Sequence, residues 1–102
     1  MYRNTKSTRS SFASQVRRNA ARAHKTLLKE VKYMSDPLEE RTWVKQCDRD
    51  LVTFKLFAEA IEANQLAKAL FIFDNRMDMA MQDEVPARVV EFLMDFEAGE
   101  LK

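Results

Sequence analysis

The sequence predicts an all-α fold, a small bundle of about four amphipathic helices with a flexible basic N-terminal arm. Three observations predict it. The 102 residues include one glycine and two prolines, too few for the many turns of a β fold of this size. Apolar side chains recur three and four residues apart over long stretches, the period that stacks them along one face of a helix. The composition, 46% hydrophobic and 32% charged, is that of a globular chain, not a disordered one. A chain of this length makes one domain and buries about 60–70% of its unfolded surface.

Each element follows from local signals. Residues 1–10 are polar and basic, with Tyr2 as their large apolar side chain beyond Met1, and are expected as the arm. Phe12, Val16, Ala20, Ala23, Leu27, Val31 and Met34 then form one apolar stripe, which predicts a first helix over 11–33. Ser35-Asp36-Pro37 ends it and starts the next: Asp36 suits the N-cap, Pro37 the first helical position, and Glu39 the return half of a capping box. Val44, Cys47, Leu51, Phe54, Ala58 and Ile61 carry the second helix over 37–63, widened by Leu56 and Phe57. The phase changes at Ala63-Asn64-Gln65, and a new stripe of Leu66, Leu70, Phe73 and Met77 predicts a third helix over 65–81. Pro86 suits the first turn of a fourth over 85–98, with Val85, Val89, Phe92 and Phe96 inside and Gly99 as terminator. Residues 11–102 are thus expected as a single helical domain.

Charge is divided between the two ends. Residues 1–32 carry nine basic side chains against one acid, Glu30, for +8; the remaining seventy carry eight basic and fifteen acidic, for −7, so the total of +1 hides two opposed surfaces. Arg18, Arg22, Lys25, Lys29 and Lys32 repeat at helical spacing away from the apolar stripe and make a basic ridge. With Arg3, Lys6, Arg9 and Arg17 they form the candidate site for a polyanion, nucleic acid foremost, since cations in a row neutralise backbone phosphates. Arg17, Arg18, Arg22, Lys25 and Lys29 are its expected centre. No zinc-finger spacing or aromatic strand of an RNA-binding sheet is present, so contact without sequence preference is the expected mode. Neutralisation by the chain's own acidic half, or by solvent, is the competing reading, and an acidic protein partner the third.

A second candidate surface is apolar. Met77, Met79 and Met81 alternate, as do Phe71 and Phe73, and such spacing cannot bury every member on one helical stripe. Trp43, Phe71, Met77, Met79, Met81 and Met94 are therefore the candidate contacts for a protein partner or a homodimer.

Several functions are disfavoured by what the residues lack. One glycine leaves no phosphate-binding loop, dinucleotide fingerprint or nucleophile elbow. His24 and Cys47 have no companions at catalytic or metal-ligand spacing, and the acid pairs Asp74/Asp78 and Glu91/Asp95 are read as solvated surface. No apolar run reaches the roughly eighteen residues of a membrane span. The expected protein is a non-catalytic accessory or regulatory protein, without cofactor, metal, small-molecule substrate or membrane, whose acidic Met/Phe-rich remainder meets a dimer or protein partner. The alternative is a pure protein-interaction module, an inhibitor, chaperone or assembly subunit, with no affinity for nucleic acid. The lone cysteine suits a reducing compartment, and the expected location is cytoplasmic. The acid-free, Arg- and Ser-rich residues 1–29 also have the composition of an organellar transit peptide, which would place the protein in a matrix. The amphipathic stripe running on through Val31 and Met34 speaks against that.

Overall fold

Helix ends, set by local capping chemistry, divide the described residues into five α-helices and one 3-10 turn. The structure is a computed structural model that describes residues 2–102. α1 (Lys6–Leu28) tightens into a 3-10 turn (Lys29–Tyr33) and is followed by α2 (Pro37–Glu62), α3 (Leu66–Arg76), α4 (Met79–Asp83) and α5 (Ala87–Glu97). There are no strands among the described residues, so the fold is an all-α bundle. No helix among them is long and apolar enough to cross a membrane.

α1 begins earlier than its apolar stripe. Thr5, extended at φ −116° and ψ 157°, is the N-cap, and its hydroxyl accepts from the Thr8 amide at 3.1 Å. Residues 6–10, expected in the arm, are thus the first turns of α1, and their Ser/Thr composition left no apolar period to reveal them. Residues 2–4 lie against the bundle. The Tyr2 ring meets Phe12 edge-on at 5.3 Å, the Asn4 amide donates to the Lys102 carbonyl at 3.1 Å, and Asn4 Nδ2 donates to Asn64 Oδ1 at 3.0 Å. Met1 lies outside the described residues.

The expected stops at the other boundaries hold for physical reasons. Asp36 caps α2 through the Leu38 amide at 2.9 Å with Pro37 at N1, although Glu39 stays exposed and leaves the cap one-sided. Asn64 takes φ 60°; its amide donates to the Ile61 carbonyl and that of Gln65 to Ala60, a Schellman ending that a residue tolerant of left-handed backbone permits. Gly99 at φ 74° ends α5 the same way, with its amide on Phe96 and that of Glu100 on Asp95.

The expected third helix breaks in two. Met77 is extended at φ −113° and ψ 128°, and the Asp78 carboxylate caps α4 by accepting from the Met81 amide at 2.9 Å. An Asp side chain that captures a backbone amide offers the chain an alternative to continuing the helix. The break turns both Met77 and Met81 into the core and leaves Met79 80% exposed.

The core joins Phe12, Val16 and Ala20 of α1 to Phe54, Phe57, Ala58 and Ile61 of α2, and both to α3 and α5. Phe12 and Phe92 meet edge-on at 5.2 Å, and Phe57 lies 6.1 Å from Phe73. Element lengths shape the whole. With 23 and 26 residues, α1 and α2 run about 35 and 39 Å, whereas α3 and α5, of 11 residues each, run about 16 Å. The short layer covers half of the long hairpin, and the rest projects, so the molecule measures 52 × 22 × 19 Å. Its radius of gyration is 15.1 Å, against the roughly 13 Å of a compact chain this long.

Phe92→Ala removes a fully buried ring that bridges α1 and α5, and should lower unfolding free energy by about 3–5 kcal/mol. Met79→Ser should change it by less than about 0.5 kcal/mol. Urea denaturation followed by circular dichroism checks both.

Candidate polyanion-binding face

The face of α1 turned away from α2, continued by the first residue of the 3-10 turn, carries the basic ridge. Arg18, Arg22, Lys25 and Lys29 follow one another at spacings of four, three and four, and all are exposed. Eleven residues separate the first from the last, about 16 Å of helix. On a DNA duplex that length passes about nine phosphates, counting both strands. Like charges at these spacings repel by roughly 0.2–0.5 kcal/mol a pair, so the face raises the free energy of its own helix until an anion neutralises it.

None of these four is neutralised within the chain. Among the described residues the ion pairs are Arg17–Glu62 and His24–Asp48, and neither uses the ridge. Arg22 Nη2 donates to Asn19 Oδ1 at 3.1 Å, a neutral acceptor that leaves its charge intact.

The nine expected cations therefore separate. Arg17 sits one residue, about 100°, off the ridge and turns to α2: Nη2 and Nη1 meet Glu62 at 3.0 and 3.3 Å in a forked pair. That hydrogen bond raises the Arg17 pKa, and the same bond together with the guanidinium charge lowers that of Glu62. Arg9 is half-buried and donates from Nη1 to Asn4 Oδ1 at 2.6 Å, while its Nε is buried without a partner. Lys32 lies beyond α1 in the 3-10 turn, with Nζ 5.0 Å from the centroid of the exposed Tyr33 ring. Arg3 and Lys6 are exposed at the N-terminal end. The expected centre loses Arg17, and Arg9 serves the fold of the N-terminus.

Three serines join the face instead. Ser7, Ser11 and Ser14 lead into Arg18 at the same four, three, four spacing; Ser7 and Ser11 are exposed and Ser14 is half-buried. Their small hydroxyls can donate to phosphate oxygens and allow close approach to the helix. The signal is the same four-three-four period upstream of Arg18, which the expected arm boundary at residue 10 cuts across.

The six candidate partner contacts also divide. Met77 and Met81, expected at a surface, are core residues 6% and 7% exposed, a correction that follows from the break at Asp78. Phe71, Met79 and Met94 are exposed. Trp43 is half-buried, its indole Nε1 donating to the Leu27 carbonyl at 2.7 Å across the hairpin. Cys47 is buried below it, its thiol pKa raised first by burial and then by Asp50 and Asp48. Among the described residues no three His, Cys, Asp or Glu side chains gather closely enough to hold a metal ion.

Comparison with protein families, with characterised proteins and with solved structures finds no match to this chain.

The Arg17–Glu62 pair has a definite pH signature. Because the folded-state pKa of Glu62 lies below the ordinary glutamate value, the pair contributes stability above that value and loses it as pH falls through the lowered one. Wild type should melt slightly above Glu62→Gln at pH 7, and the gap should close in acid below the usual glutamate range. Thermal melts across pH check this.

Proposed function

We propose that the chain is a non-catalytic accessory protein that holds a polyanion, nucleic acid first among them, on the outward face of α1. The observation that carries this reading is the run of Arg18, Arg22, Lys25 and Lys29, exposed and unpaired in a chain with sixteen acids. A face meant for solvent alone gains nothing from concentrating repulsion along one line. One meant for a phosphate backbone gains counterion release at every contact. Contacts from flexible cations and serine hydroxyls go to phosphate, so binding discriminates little between sequences.

The protein-interaction reading keeps one specific support. Phe71 stands 56% exposed on the side of α3 away from the core, and Met79 and Met94 are also exposed on the acidic part of the molecule. In the combined reading α1 holds the polyanion while this part meets a protein.

Fluorescence anisotropy with labelled duplex DNA and single-stranded RNA across a salt series tests the proposal. Four phosphate contacts predict a log–log salt slope of about −3 to −4 for duplex DNA. Changing Arg18, Arg22, Lys25 and Lys29 together to Glu should abolish binding, whereas Arg17→Ala should leave the slope unchanged. A folded wild type that binds neither nucleic acid at low salt would exclude the reading.

A further inference from the structure

The apolar stripe shared by α1 and α2 outruns the layer that covers it. Buried positions on α1 end at Ala20, yet Ala23 and Leu27 continue the same stripe. On α2, Trp43, Cys47 and Leu51 continue it toward the hairpin tip. Where the short layer stops, at α4, an open groove of about 380 Å³ remains between the two helices. Cys47 and Met81 are buried beneath it, Ala23, Leu51 and Trp43 are half-buried along it, and Leu27 stands exposed at its far side. Small side chains at Ala20 and Ala23 permit the close approach of another helix, with axes about 8–10 Å apart. From Trp43 to Phe54, both in the lining, α2 rises about 16 Å, the length of a helix of three turns.

Among the charged groups around the groove, acids outnumber bases. Asp50 lies on α2, and Asp78 and Glu84 mark the α4 end; Arg22 is the one arginine or lysine in the lining, and His24 is held by Asp48 at 2.9 Å. Three carboxylates against one guanidinium favour a cationic occupant. A second copy of this chain matches poorly. Its hairpin carries the same excess of acid around its own groove, its α3–α5 part is acidic as well, and its basic ridge continues into serines instead of an apolar stripe.

We propose that this groove seats a short amphipathic helix of a partner protein, with an apolar stripe over about three turns flanked by Lys or Arg. The occupant takes the place of the third helix that the hairpin lacks along its projecting half. Trp43, fixed by its bond to the Leu27 carbonyl, forms a rigid aromatic wall for it. The site shares Arg22 with the polyanion face and lies apart from Arg18, Lys25 and Lys29, so changing those three separates the two readings.

Trp43 is the single tryptophan of the chain, and its emission reports occupancy of the groove directly. The probe is a synthetic 14-residue helical peptide without tryptophan, with Leu along one stripe and Lys beside it, compared with a twin carrying Glu for each Lys. The Lys peptide should shift Trp43 emission to the blue and saturate, binding at least tenfold tighter than its twin. Asp50→Lys combined with Glu84→Lys should invert that preference, a gain for the Glu peptide that misfolding cannot imitate. Ala23→Arg should abolish both, and Arg18→Glu with Lys25→Glu and Lys29→Glu should leave peptide binding unchanged. Equal binding of the two peptides, or none, would overturn the proposal. So would a wild-type dimer in sedimentation that Ala23→Arg disperses, which would make a second copy the occupant. Saturation of Trp43 by naphthalene with no response to either peptide would instead assign the groove to a small apolar ligand.

Discussion

The antiparallel pairing of α1 with α2 is the constraint on which the other features depend. It is set by a three-residue turn after Tyr33, where Asp36 and Pro37 start the return helix, and by a seam of small and medium apolar side chains. Arg17–Glu62, His24–Asp48 and the Trp43–Leu27 bond link the two helices at different heights. Those polar links are exposed or half-exposed and add little free energy, but each favours a single register of one helix against the other. Once that register is set, the direction of every α1 side chain follows, including those on the ridge.

Length is the second determinant. Two long helices cannot be roofed by helices less than half as long, so the core gathers at the end where Phe12, Val16, Phe54, Phe57 and Ile61 meet Phe73, Phe92 and Leu93. The projecting end keeps its helical form through pairing and capping, without a third layer. The same mismatch leaves the inner seam open at one end, whereas the outer face of α1 is free because it lies opposite the buried stripe.

Electrostatics then distinguishes the two. The outer face carries a line of cations that form no ion pair among the described residues, while three carboxylates and one guanidinium rim the open seam. The +8 and −7 halves of the chain do not collapse on one another: among the described residues they meet at ion-pair distance at Arg17–Glu62 and His24–Asp48, and neither pair uses the ridge. One molecule thus presents opposite charge in two directions.

What was legible in the residues was local. The all-α class, the start of α2 at Asp36-Pro37, the turn at Asn64, the stop at Gly99 and the register of Arg18, Arg22, Lys25 and Lys29 all rest on periodicity or on one residue's backbone preference. The exposed methionine required by the spacing at 77, 79 and 81 was legible too, though not which one it would be. The start of α1 at Lys6 was missed because a Ser/Thr-rich turn has no apolar period, and the break at Asp78 because a side-chain cap can outcompete a helix that no proline or glycine interrupts. The sequence by itself determined the helices and the faces they carry, since both arise from interactions a few residues apart. Only the tertiary structure decided that Arg17 is spent on a carboxylate 45 positions away, that Asn4 reaches a turn 60 positions on, and that Met77 and Met81 close the core. It also decided that half the hairpin stays uncovered. Those outcomes depend on the relative lengths and register of elements far apart in the chain, and no local pattern encodes them.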